Sequence, residues 1–246
     1  MSLWNHMTMA LDPAEMLRAA GYQPDEAQTK VLRSTAKTTM LNCCRQFGKS
    51  TVGGARAIHK SLFKPRSTTV IISPTQDQSA ELLERAKVIL YTLDETGVET
   101  EMESTIRLEL SNRSRIFAMP GSETSIRGYS PDLLILDEAS RIPDPVYIAA
   151  MGMLAATNGE QLIMSTPAGK RGFFYDLWFG DPTIERVEVP ATKCSRISTD
   201  FLEAQRRRTP VPQFEAEFMC KFLDNDGLSI FTTELLEGVL GNVVPV

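Results

Sequence analysis

The 246-residue sequence predicts an α/β domain built on a largely parallel sheet, and three features carry that expectation. From about residue 38, short apolar or β-branched runs alternate with longer stretches of helical pattern, as parallel strands with helical crossovers do. The run Leu133-Leu134-Ile135-Leu136 is apolar at every position, which suits a strand covered on both faces. The balance of 42% hydrophobic and 23% charged residues is that of a globular chain and excludes collagen-like, coiled-coil and wholly disordered classes.

The elements follow in order. Residues 39–43 read as a strand, and Lys49 to Phe63 as a helix despite the Gly53-Gly54 pair. Residues 68–73 form a β-branched strand closed by Pro74. A helix over 78–93 places Leu82, Ala86, Ile89, Leu90 and Leu93 at helical spacing. Strands at 105–110 and 115–118 flank Ser111-Asn112-Arg113, a hairpin signal. After the 133–136 strand come a helix at 145–156, a strand at 161–165 stopped by Pro167, an aromatic helix at 173–179 and a strand at 185–189. Residues 1–195 would form the core. Residues 196–246 would form a small helical appendage and the start of a linker, with helices at 200–208 and 213–222.

A net charge of −5 argues against a simple basic nucleic-acid clamp. No run of about 18 apolar residues is present, so no membrane span is expected. The first ten residues lack the pattern of a signal peptide. Four cysteines without a C-x-x-C pair, and two histidines (His6 and His59), make a structural zinc site unexpected and favour reduced thiols.

Cys43 to Ser50 joins the first strand to a helix. Gly48-Lys49-Ser50 matches the second half of the phosphate-loop pattern G-x-x-x-x-G-K-[ST], while Cys43 stands where its first glycine belongs. The physical needs are still met. Gly48 lets the backbone turn closely around an anion, and the N–H groups from Gln46 and Phe47 to Ser50 and Thr51 open a helix N-terminus. Lys49 supplies a point charge for the β- and γ-phosphates of ATP, and Ser50 a hydroxyl for Mg²⁺. The second signal is Asp137-Glu138, which ends the apolar strand where open α/β sheets bind ligands. There Asp137 would hold Mg²⁺ and Glu138 would polarise the attacking water. Arg45, inside the loop, is a candidate for stabilising γ-phosphate charge, and Arg127 and Arg85 are candidates for a finger supplied to a neighbouring subunit.

Taken together, Arg45-Gln46-Phe47-Gly48-Lys49-Ser50 resembles the deviant Walker A motif of the large terminase subunit of tailed bacteriophages, and 133–140 resembles its Walker B motif. Ser165-Thr166-Pro167 resembles its coupling motif. Gly21-Tyr22-Gln23-Pro24 and Gln28 resemble the Q motif of these motors and of superfamily 2 helicases, in which the Gln28 amide would pair with adenine. Pro24 also reads as an ordinary helix entry. The resemblance spans about residues 20–225 and implies a P-loop NTPase of the ASCE (RecA-like) type. It further implies ATP and Mg²⁺ as cofactors, and double-stranded DNA, a homo-oligomeric ring on the portal and the small terminase subunit as partners, in the host cytoplasm. The family's nuclease domain is not expected in the residues after 225. Two alternatives remain at this point: a superfamily 2 helicase fragment, and an assembly module that binds nucleotide without turning it over.

Overall fold

The computed structural model describes residues 3–93, 96–122, 126 and 128–224. Eight strands form one sheet: β1 (Thr38–Cys43), β2 (Thr68–Ser73), β3 (Thr100–Glu103), β4 (Arg107–Leu110), β5 (Arg115–Pro120), β6 (Leu133–Asp137), β7 (Glu160–Ser165) and β8 (Glu185–Val189). Their order is β3-β4-β5-β2-β6-β7-β1-β8. The pairs from β5 through β8 are parallel, and β3-β4 and β4-β5 are antiparallel. The antiparallel β4-β5 pair is the hairpin that Ser111-Asn112-Arg113 signals.

Helices cover both faces. α1 (Leu3–Leu11), α2 (Pro13–Ala19), α3 (Glu26–Arg33), α4 (Lys49–Phe63) and α5 (Gln76–Thr92) lie on one side, and α6 (Asp144–Leu154) and α7 (Gly172–Gly180) on the other. The two cores explain the unbroken apolar strands. Ile71 and Ile135 enter the core that holds α4 and α5, whereas Val70, Ile72, Leu134 and Leu136 enter the core of α6 and α7. Alternate side chains of a central strand therefore meet opposite apolar layers.

Gly53 and Gly54 have a packing reason inside α4. A Cβ at Gly54 would stand 3.1 Å from the backbone nitrogen of Ala86, and one at Gly53 would stand 2.8 Å from Cε of Met164. The pair lets α4 lie close against α5 on one side and against β7 on the other.

Three elements are not legible in the sequence. α1 and α2 carry no chemistry signal, and β3 (TEME) is exposed at every position, so it shows no apolar alternation. The tail begins as expected with α8 (Thr199–Arg208), but α9 (Val211–Glu217) ends five residues before the anticipated 222. Residues after α9 are held by the core instead. Asn42 Nδ2 donates to the Cys220 carbonyl at 3.0 Å, Ala191 N to Phe218 O at 2.7 Å, and Leu223 N to Ala168 O at 2.9 Å. Phe222 sits among the rings of Phe174, Tyr175, Trp178 and Phe179.

Candidate functional site

The sheet order puts β7 between β6 and β1, so the loops after β1 and β6 open on the same sheet edge. The loop between β1 and α4 is shaped by two left-handed residues, Gln46 at φ 64° and Gly48 at φ 88°. Phe47 is buried and anchors it. The Phe47 carbonyl accepts from Gln28 Nε2 at 3.0 Å and from Arg196 Nη1 at 3.1 Å. A Cβ on Gly48 would lie 3.0 Å from Gln28 Nε2, a second reason for glycine at that position.

A cavity of about 290 Å³ lies between this loop, the end of β6 and the start of α5. Gln46, Phe47, Gly48, Lys49 and Ser50 line it together with Asp137 and Glu138. Across it, Lys49 Nζ contacts Glu138 Oε1 at 2.5 Å, with both side chains mostly buried. Glu138 has the left-handed φ of 51°, which turns its side chain as the chain leaves β6 for a short 3-10 turn at Ala139–Arg141. Strain of this kind gathers at functional sites.

Burial opposes the ammonium charge of Lys49, but Glu138, followed by Asp137, outweighs it and holds the Lys49 pKa above its ordinary value. Asp137 is 5% exposed, and its Oδ1 has no hydrogen-bond partner among the described residues. Burial pushes its pKa to about 6; Lys49 opposes the rise, and Glu138 and Glu81 add to it. The folded chain therefore holds this proton more tightly than the unfolded chain. The associated stability is complete below the ordinary aspartate value of 3.8 and is lost as pH rises through about 6. Asp137→Asn is accordingly expected to raise stability at pH 8 by on the order of 2 kcal/mol, with the gain vanishing toward pH 4. Urea melts of both chains across that range, without nucleotide or metal, read it directly.

Residues 40–237 match the family model described as terminase large subunit, T4likevirus-type, N-terminal. The chain belongs to this family. Terminase large subunits of Thermus phage G20c and Thermus virus P23-45 are each 31% identical over 200 residues, covering 74% of this chain and 41% of theirs. The chain thus spans well under half the length of those curated relatives. The ATPase domain of the Thermus phage P74-26 large terminase, in a point-mutant form, superposes with a TM-score of 0.77 at 25% identity, over 84% of this chain and 97% of that one. The large terminase of another thermophilic bacteriophage, solved in complex with ADP, shares the fold, with a TM-score of 0.64 at 13% identity, over 80% of this chain and 53% of that chain. The P-loop NTPase fold with a mostly parallel central sheet is that of this terminase family.

Several expected site residues of the terminase chain lie elsewhere. Arg45 is exposed and turns away from the cavity to pair with Glu217 of α9, so its place in the loop does not bring its guanidinium to the phosphate side. The Gln28 amide is already engaged. Its oxygen accepts from Asp25 N at 3.2 Å and from Arg196 Nη2 at 2.7 Å, which occupies both of its lone pairs, and its nitrogen donates one hydrogen to the Phe47 carbonyl. Here Gln28 caps α3 and braces the loop from behind. Tyr22 packs on the core, Gln23 is exposed, and Thr51 is the third residue of α4; none of them lines the cavity. Arg85 is on the exposed side of α5, away from the cavity, and Arg127 lies outside the described residues. Ser165 and Thr166 are buried and tied to the acidic turn. Ser140 N and Oγ both meet Ser165 Oγ, at 3.1 and 2.9 Å, and Ser140 Oγ donates to Thr166 O at 2.9 Å.

Sequence reasoning missed Gln78 and Glu81, which line the cavity, and Arg196, which braces the loop. Thr75-x-x-Gln78 is a readable capping pattern, but nothing in the sequence ties it to the phosphate loop. Arg196 carries no local signal at all.

Proposed function

We propose that the chain is the ATP-hydrolysing motor of a viral DNA-packaging terminase, driving double-stranded DNA into the procapsid. The observation that carries this is the contact between Lys49 and Glu138, far apart in sequence, across a cavity of phosphate-loop shape. Free N–H groups at the start of α4 and the Lys49 ammonium would receive the β- and γ-phosphates. Three carboxylates, Asp137, Glu138 and Glu81, line the cavity against one ammonium, so a triphosphate would enter with a divalent cation.

Ser50 and Asp137 fit Mg²⁺, because Asp137 lines the cavity with a buried oxygen that none of the described residues satisfies. When bound there, the ion would neutralise charge on the phosphate oxygens.

Without nucleotide, Glu138 is engaged by Lys49. Phosphate would draw Lys49 away and release the carboxylate. Glu138 would then orient a water for in-line attack on the γ-phosphorus and accept its proton as the bond to the ADP oxygen breaks. The occupancy of the site would be passed through Ser140 to Ser165 and Thr166, at the end of the neighbouring strand. Arg45 would anchor α9 instead of touching phosphate.

The chain would act as a homo-oligomeric ring on the portal in the host cytoplasm, with the small terminase subunit as partner. Among the described residues no helix is long and apolar enough to cross a membrane. Arg127 or Arg85 would complete the site of a neighbouring copy as a finger. The experiment is phosphate release with Mg²⁺ and ATP, measured per chain against protein concentration. We expect a Lys49-dependent rate per chain that rises with concentration. A rate that stays flat would argue against the trans finger, and absent release would favour a nucleotide-binding assembly module.

A further inference from the structure

Gln78 and Glu81 line the phosphate cavity from α5, and the mechanism above gives Gln78 no task. The sheet puts them there. α5 follows β2, whose Ile72 is in register with Leu136 of β6, so the first turn of α5 starts beside Asp137 and Glu138. Gln78 and Glu81 are three residues apart and so share one face of that helix.

The orientation of the Gln78 amide is fixed by its neighbours. Gln78 is the third residue of α5 and forms a capping box with Thr75. The Thr75 N–H and hydroxyl donate to Gln78 Oε1 at 3.3 and 3.2 Å, and Gln78 N donates to Thr75 Oγ1 at 3.3 Å. A backbone N–H can only donate, so the amide oxygen must face Thr75. The cap does not use the NH₂ group of this cavity-lining residue.

The charges decide what that donor is for. Lys49 and the loop N–H groups can hold a diphosphate. A third phosphoryl group would extend beyond them toward Glu138 and Glu81, where the lining is carboxylate and includes Asp137, whose Oδ1 has no hydrogen-bond partner among the described residues. A neutral donor on that side offsets repulsion that only a triphosphate meets.

We propose that Gln78 is the donor that reads the terminal phosphoryl group, so that the first turn of α5 distinguishes triphosphate from diphosphate. This rests on the nucleotide site proposed above. The test compares the binding of ADP and of ATP-γ-S, each with Mg²⁺, by calorimetry to the wild-type chain, Gln78→Glu and Gln78→Leu. Glutamate serves the capping box as glutamine does, so Gln78→Glu keeps the cap and replaces the NH₂ with a second carboxylate oxygen. Its affinity for ATP-γ-S should fall roughly tenfold or more, with ADP affinity within about twofold of wild type. Gln78→Leu, which has no donor and adds no charge, should show the same selective loss at smaller size.

Unchanged ATP-γ-S affinity in both variants, or an equal loss for both nucleotides, overturns the role of Gln78 and leaves the nucleotide site standing. A wild-type chain that binds neither nucleotide overturns the site, and this inference with it.

Discussion

Glu138→Gln is expected to bind ATP at least as tightly as the wild type and to release phosphate about a thousandfold more slowly. The substitution is nearly isosteric, and its amide oxygen can still accept from Lys49, so the fold is retained. A carboxamide cannot take the proton of an attacking water, which removes the base function alone. The Lys49–Glu138 contact adds a second consequence. With a neutral partner the ammonium is held less strongly in the empty site, and its transfer to phosphate costs less. Calorimetric binding and a phosphate-release assay on the same preparation separate the two effects. Turnover near wild type would remove Glu138 from its role.

Lys49→Ala should do the opposite. Triphosphate affinity should fall roughly 10- to 100-fold, the scale of a lost charge-assisted hydrogen bond in a sheltered site. Stability without nucleotide should also fall, by about 2 kcal/mol, because Glu138 is then left partly buried beside Asp137 with no cation. The double variant Lys49→Ala/Glu138→Gln discriminates the causes. It should recover most of the lost stability, since the stranded charge is gone, and recover none of the affinity. A double variant as unstable as Lys49→Ala would mean that the ion pair is not what the single substitution disturbs.

The parts of this molecule legible in sequence are those fixed by local chemistry. The β1 and β6 strands, the glycine and lysine of the loop and the Asp137-Glu138 pair follow from apolar runs and phosphate-binding requirements that leave few other residues possible. Ser165 and Thr166 are buried at the end of β7, the strand between β6 and β1. What is not legible depends on partners far along the chain. Gln28 looks like an adenine reader until Arg196, far downstream, is seen bonded to its oxygen. Arg45 looks catalytic until Glu217 is found beside it. Gln78 reads as a helix cap, and only the pairing of β2 with β6 brings it to the cavity. β3 escapes sequence reasoning because an exposed edge strand needs no apolar alternation.

Lys49 and Glu138 are proposed to serve one triphosphate and to separate when it binds. A crystal structure of the chain with ATP-γ-S and Mg²⁺ would show whether they do. Lys49 Nζ is expected within hydrogen-bond distance of a β- or γ-phosphate oxygen, its contact with Glu138 broken, and the Glu138 carboxylate turned to a water in line with the γ-phosphorus. Nucleotide bound away from the 46–50 loop, or phosphates seated there with Lys49 still on Glu138, would contradict the proposal.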